Sequence, residues 1–440
     1  MQRQNTLLYS FFKYTSANVA GMIGLSCYIL ADTFFISMGL GSLGLTALNL
    51  SIPVYGLIHS TGLMIGIGAG TGFAIERAQK NREKGNRFFT CALLLAVFAS
   101  LFFVVLGLFF TREIALVFGA DKGTLSMTVT YMRTILLFSP AFLLNNVLIA
   151  FVRNDKNPRL SMMGMLVGSF SNIILDYIFI FPLSMGIFGA AFATGLAPVI
   201  SIGILLTHFG TKKNSFSIVV GFSCLRQSLR ILSLGISTFV TEFASSIVII
   251  VFNFILLSFS GNTGVAAYGI IANLSLVITS IFTGISQGIQ PVISKAYGEG
   301  RRGDIHTMAK YGITLTLSLS IILYVCLIGL RSPLVHAFNQ GEDQKLQIMA
   351  ERGVIYYFAA FPFVGFNIVI ISLLNSVTRF GSAFFLSLLR GILLILPCAI
   401  IFSKLYDIMG VWLSFPITEL LTGTLSLVFL VSFLRRKELY

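Results

Sequence analysis

Four carboxylates interrupt long apolar runs in this sequence of 440 residues: Asp32, Asp176, Glu242 and Glu419. Charge inside a bilayer is costly, so each is a candidate for function. Asp176 has the richest surroundings. In Asn172-Ile-Ile-Leu-Asp176 the amide and the carboxylate are four apart, hence one helical turn apart on one face. Together they offer hard oxygen ligands, suited to a small hard cation or to holding a proton on the acid. Eighteen residues on, Thr194 lies beyond a face of small residues, Gly186, Gly189, Ala190 and Ala193. Small faces let helices approach closely, so Thr194 is placed to add a third oxygen. Asp32 follows Tyr28 by four. If their helices converge, Asp32, Asn172, Asp176 and Thr194 form one polar pocket for H⁺ or Na⁺. No basic residue is evident in those helices to neutralise the acids. Two neighbouring carboxylates repel, so one is expected to exchange a proton near neutral pH. That is what coupling to an ion gradient requires; pairing between helices for structure alone is the plainer alternative.

The remaining polar residues read as cavity candidates. Glu242, in Thr241-Glu242-Phe243, suits a cationic ligand or a structural partner. Tyr28, Tyr131, Asn145, Asn146 and Gln287, with Gln290 before Pro291, are placed to line a cavity. Glu419 is expected to pair with Arg390, and His59 to make a helix–helix contact. Of the ten prolines, Pro53, Pro140, Pro198, Pro291, Pro362, Pro397 and Pro416 fall in apolar runs, where each removes a helix hydrogen bond and is a candidate hinge.

These residues need a membrane-embedded scaffold. Hydrophobic residues make up 56% of the chain and charged residues 10%, far from the roughly one quarter charged of a soluble domain. A span needs about 20 apolar residues. Twelve candidates follow at about 14–37, 47–75, 88–111, 126–151, 161–181, 187–208, 231–257, 264–294, 309–330, 353–375, 382–403 and 409–433. The fold class is therefore all-α and polytopic. Of 30 basic residues, 22 fall on one side of this arrangement. They include Arg77 to Arg87, Arg153 to Arg159, Lys212, Lys213, Arg226, Arg230, Lys295 to Lys310, Arg379, Arg435, Arg436 and Lys437. By the positive-inside rule that side, with both termini, is cytoplasmic. The net charge of +14 is thus a topology signal, and nucleic-acid binding is discarded. No P-loop, His-Glu-x-x-His or Gly-x-Gly-Asp motif is present, so ATP-driven transport and intramembrane catalysis are disfavoured and no cofactor is expected. Five cysteines, mostly in apolar runs, are expected to be small core residues rather than a disulfide framework. No cleavable signal peptide is evident.

The chain repeats itself. Gly44 and Gly264 lie 220 apart, Gly85 and Gly303 218 apart, and Pro140 with Asn145 match Pro362 with Asn367 at 222. This predicts a six-helix lobe over 1–210, a linker over 211–230 and a second lobe over 231–440, moving against each other. The charges do not repeat: Asn253 and Cys398 stand roughly where Asp32 and Asp176 would recur.

An ordered set of strings resembles the multidrug and toxic compound extrusion (MATE) transporters, in their bacterial DinF/MepA-like branch. The strings are Leu30-Ala-Asp32-Thr-Phe-Phe, Phe151-Val-Arg-Asn154-Asp155-Lys-Asn157-Pro158, Asn172-Ile-Ile-Leu-Asp176, Gly186-Ile-Phe-Gly189-Ala-Ala-Phe-Ala-Thr194 and Gln287-Gly-Ile-Gln290-Pro291, leading to Tyr297-Gly298-Glu-Gly300. The resemblance covers essentially the whole chain. It implies a V-shaped pair of lobes in the bacterial cytoplasmic membrane, acting as a monomer. It also implies export of cationic amphipathic drugs in exchange for H⁺ or Na⁺. By position, Asp32, Asn172, Asp176 and Thr194 match the family's first-lobe cation site, and Tyr28 and Tyr131 its cavity tyrosines. Two departures stand out. The first span lacks the proline that some members bend on protonation, and the tenth lacks an acid. The alternative is a lipid-linked oligosaccharide flippase of a related superfamily. That would need several arginines facing its cavity, and only Arg390 and Arg133 are intramembrane bases here.

Overall fold

The computed structural model describes residues 2–211, 214–339 and 343–435, with side chains from Gln4. Lys212, Lys213, Arg436 and Lys437, counted among the basic loops, lie outside them. Every regular element among the described residues is helical, as expected where lipid offers the backbone no hydrogen bonds. The first half holds α1 (Gln2–Ala78), α2 (Arg82–Phe109), α3 (Thr111–Val117), α4 (Leu125–Leu137), α5 (Ser139–Asn154), α6 (Pro158–Ile180) and α7 (Gly186–Gly210). The second holds α8 (Leu225–Gly298), α9 (Arg302–Gly329), α10 (Arg331–Phe338), α11 (Gln344–Phe358), α12 (Phe361–Ser376), α13 (Phe380–Leu388), a π turn (Leu389–Leu393) and α14 (Ile395–Arg435).

Among the described residues, nine helices or bent pairs are long and apolar enough to cross a membrane. Three of them are hairpins. At 77 residues α1 would run more than about 100 Å if straight, against a hydrocarbon core of about 30 Å. It turns back at Gly41 (φ 65°, ψ −157°), so that the hydroxyls of Tyr28 and Tyr55 meet at 2.6 Å. α8 does the same at Gly261 (φ 58°, ψ −148°), bringing the rings of Phe252 and Tyr268 to 5.3 Å. α14 breaks at Asp407 (φ 52°). Division at these breaks accommodates the twelve expected spans. The positive φ at Gly41 and Gly261 is the region where glycine carries no Cβ penalty.

The internal repeat is plainer in the backbone than in the sequence. Positive-φ residues recur in pairs: Gly41 with Gly261, Lys80 with Gly300, Lys156 with Thr378, and Ser184 with Asp407. Two further breaks also correspond. α4 and α5 meet at 46°, α11 and α12 at 45°, and Pro140 and Pro362 follow those bends in the first turn of the new helix. Proline is tolerated there because its missing N–H has no intrahelical partner. The sequence merges each pair into one span, because apolarity runs unbroken across the bend.

Each half has its own apolar core, and a third cluster joins Phe11 of α1 to α8, α9, α12 and α14. The start of α1 therefore packs against the second half. Large apolar side chains such as Phe98, Leu101 and Phe102 face outward from α2, toward the surrounding lipid. Alternation brings the ends of α1, α5, α7, α8, α12 and α14 to one end of the molecule, where Lys156 and Lys295 become electrostatic neighbours. This is the basic end.

The segment between the halves is built into the first of them. Phe216 is buried among Phe73, Phe89, Phe151 and Phe209. Ser215 donates from both its N–H and its hydroxyl to Asp155, which also meets His208 at 2.9 Å. α8 already starts at Leu225, inside the expected linker. The cysteines need a correction: Cys91 and Cys224 form a disulfide. They stand 133 positions apart, and nothing local in the sequence indicates that the segment folds back over the end of α2. Cys27 and Cys326 are exposed and unpaired, and Cys398 is unpaired and half-buried.

Candidate functional site

Asp32 comes from the first leg of α1, Tyr131 from α4, Asn172 and Asp176 from α6, and Thr194 from α7. α6 and α7 approach closely because small residues line their contact. A Cβ on Gly168 would lie 3.2 Å from Ala197 O, and one on Gly189 would lie 2.9 Å from Phe179 Cβ. Asn172 and Asp176 are fully buried, and Asp32 and Thr194 nearly so. Asp32 and Asp176 lie close enough for each carboxyl to act electrostatically on the other. Tyr131 donates to Asp32 Oδ2 at 3.5 Å. Asn172, in the amide orientation that satisfies both its ends, donates to Asp176 Oδ2 at 3.1 Å and accepts from Thr194 N–H at 3.2 Å. Oδ1 of Asp32 and Oδ1 of Asp176 are buried without a partner. A buried polar atom left unsatisfied is costly, and two neighbouring buried carboxyls are stabilised by a proton on one member or a cation between them.

A cavity of about 330 Å³ lies between the halves. From the first half it is lined by Tyr28, Tyr55, His59, Asn145, Asn146 and Thr194, and from the second by Glu242, Tyr268, Gln287, Tyr357, Arg390 and Glu419. Thr194 belongs to both sites, so the cluster around Asp32 and Asp176 sits directly behind the first-half wall. Of the cavity candidates read from sequence, Tyr28, Asn145, Asn146, Glu242 and Gln287 line this space. Tyr131 is set behind the wall, turned to Asp32. His59 faces the cavity with its ring stacked on Tyr55 at 5.8 Å. Arg390 and Glu419 pair as expected, through Nε at 3.0 Å and Nη2 at 2.7 Å.

Toward the basic end the halves are sealed. A Cβ on Gly68 would lie 2.1 Å from Ile231 O, and one on Gly235 would lie 2.0 Å from Met64 O, so two helix backbones touch. Polar ties reinforce the seam. Arg153 Nη1 donates to Asn18 at 2.8 Å and to Gln287 at 2.7 Å, Gln290 donates to Thr71 at 3.0 Å, and Arg230 meets Glu76 at 2.8 Å. Sequence reading missed Arg153 as part of this seam. It counted as a loop charge, yet it is 1% exposed. One sequence does not separate a buried arginine at a helix end from an exposed one beyond it.

The MatE family profile matches residues 19–178 and 237–401, one stretch in each half and more than half of the chain in all. The chain belongs to the MatE family. As a MatE protein it is similar to the multidrug export protein MepA of Staphylococcus aureus strain N315, at 27% identity over 419 residues. That match covers 94% of this chain and 90% of the relative. The MepA of Staphylococcus haemolyticus is 25% identical over 412 residues, covering 93% and 90%. Among solved structures, an outward-facing MATE transporter of the MOP superfamily superposes with a TM-score of 0.90 at 21% identity, covering 96% of this chain and 94% of that one. A Vibrio cholerae MATE transporter gives 0.92 at 19% identity over the full length of both. A MOP superfamily transporter from Pyrococcus furiosus, described by the reverse polarity of its binding pocket, gives 0.90 at 20%, covering 97% and 96%. These likenesses establish the fold: a MatE transporter of two pseudo-symmetric helical lobes, crossing the membrane many times.

Proposed function

We propose that this MatE transporter exports cationic amphipathic compounds in exchange for H⁺ or Na⁺ across a bacterial cytoplasmic membrane. The observation that carries the proposal is the pairing of two buried acids, Asp32 and Asp176, each with an unpartnered oxygen, behind a cavity wall they share through Thr194. A proton or Na⁺ satisfies those oxygens. Its binding neutralises the first-lobe wall, and its release restores negative charge beside the cavity. Cargo and ion thus act on one wall, which is what exchange requires.

Cargo polarity follows from the other wall. Glu242 opens on the cavity, and the single cavity arginine, Arg390, is already neutralised by Glu419. That balance favours cationic cargo over the anionic head group of a lipid-linked sugar. The relatives named for multidrug export agree with this reading. With the basic end and both termini cytoplasmic, the glycine seam closes the cavity toward the cytoplasm. Rocking about that seam would expose it there.

Efflux of ethidium from cells tests the proposal. Asp176→Asn removes a titratable oxygen and keeps the shape, so efflux is lost while membrane expression stays normal. Efflux retained at the normal rate would remove Asp176 from coupling.

A further inference from the structure

Of the carboxylate, lysine and arginine side chains, three line the cavity, all from the second half: Glu242 on α8, Arg390 on the π turn and Glu419 on α14. Glu419 is fully engaged. Arg390 donates to its Oε1 through Nε and Nη2, and Asn367 donates to its Oε2 at 2.7 Å. Asn367 is itself fixed by Ser426, whose hydroxyl donates to Oδ1 at 2.8 Å. The pair is nearly buried, with side-chain exposures of 9% and 2%. It contributes no net charge to the cavity.

Glu242 differs. Among the described residues it makes no hydrogen bond or ion pair, and Arg390 is its charged neighbour on the cavity wall. The chain brings Arg390 to this place through the one π turn among the described residues. A π turn inserts an extra residue into a helix and is frequent at functional sites. Here it carries Gly391 so close to α8 that a Cβ there would lie 2.6 Å from Ala244, two residues from Glu242. Asp32 and Asp176 lie behind the opposite wall and do not line the cavity.

An apolar-walled cavity tolerates little uncompensated charge. Two carboxylates and one guanidinium leave a single negative charge for cargo to meet. We propose that the Arg390–Glu419 pair sets the charge of the cargo, leaving Glu242 to select amphipathic monocations over dications of the same shape. The proposal rests on the cationic-cargo reading and names the class of cation.

Two aromatic cations of matched shape test it: N-methyl-phenylpyridinium, with one charge, and dimethyl-bipyridinium, with two. Binding to the purified full-length protein is measured by calorimetry at about pH 8, where an imidazole is neutral. The wild type binds the monocation at least about tenfold tighter than the dication. Arg390→Gln frees Glu419 and raises dication affinity by about tenfold or more. Arg390→Lys keeps the charge and the monocation preference, and the double change Arg390→Gln with Glu419→Gln restores that preference. Ser245→Asp adds a carboxylate one turn along α8, on the cavity wall, without touching the pair; it too raises dication affinity. That variant decides the matter if Arg390→Gln does not fold. Dication affinity unchanged in the folded variants, with monocation binding intact, would overturn the charge-setting role. A wild type that binds neither cation would overturn the cargo reading beneath it.

Discussion

Asp32 and Asp176 are buried as neighbours in the first lobe, and among the described residues neither meets a basic side chain. They come from α1 and α6, while Tyr131, Asn172 and Thr194 enclose them from α4, α6 and α7. A proton or a cation between two such buried acids relieves the cost of their charge. On the proposed function, ion occupancy is tied to the packing of the first lobe, and the cavity beyond Thr194 is where cargo would sense it.

Glu242 is the carboxylate that opens on the cavity without a hydrogen-bond partner among the described residues. Glu242→Gln is expected to weaken binding of an amphipathic monocation by about tenfold or more, with little effect on the ion site in the other lobe. Calorimetry with the cation and, separately, with Na⁺ distinguishes the two effects. Equal cation affinity in wild type and variant would leave Glu242 a structural residue.

The seam depends on two glycines where helix backbones meet. Gly235→Ala places a methyl group on Met64 O, and neither backbone can yield without separating the lobes. The expected result is a shift toward the form open at the basic end. A cysteine at Ser286, buried at a second, small cavity that Arg153 also lines, reports it in a background lacking the native cysteines. It should react faster with a membrane-impermeant thiol reagent from the cytoplasmic side when Gly235→Ala is present. Equal rates in both backgrounds would mean that the seam is not what holds the lobes shut.

Arg153 adds a polar tie to the same seam, from α5 to Asn18 and Gln287. Arg153→Met preserves most of the stem and removes the donors. Stranding Asn18 and Gln287 costs about 1–3 kcal/mol for each buried acceptor left without a partner. A lowered unfolding temperature together with faster labelling at Ser286→Cys is expected. A change in stability alone would assign Arg153 to folding rather than to closure.

The Cys91–Cys224 bond holds the segment entering α8 against α2. Alkylation of the denatured, unreduced protein should therefore modify Cys27, Cys326 and Cys398 and spare the bonded pair, while prior reduction exposes all five. Five modified cysteines without reduction would show that the bond does not form.

The sequence shows the parts of the site that follow helical spacing. Asn172 and Asp176 are one turn apart, and the small residues before Thr194 announce a close helix contact; both lie in the local pattern. It does not show that Tyr131 turns to Asp32 instead of to the cavity, because that depends on the bend at Phe138, which apolarity conceals. The twelve apolar runs give the spans, but the hairpin turns fall at Gly41 and Gly261, three residues before the glycines that the repeat first suggests. Any of these glycines fits a turn by type, and backbone geometry selects among them. Arg153, Asp155 and His208 were unreadable for a different reason. A charged residue at a helix end belongs to a loop by composition; the burial of Asp155 and His208 depends on the segment around Ser215 and Phe216 folding over them, and that of Arg153 on the seam with α8.

Efflux from proteoliposomes loaded with a fluorescent monocation, under an imposed Na⁺ gradient and separately under an imposed pH gradient, tests the coupling most directly. The wild type should export the cation under at least one gradient and stop when that gradient is collapsed, and Asp176→Asn should export under neither. Export by Asp176→Asn at the wild-type rate, or no export by the wild type under either gradient, would contradict the assignment of Asp32 and Asp176 as the ion-coupling pair.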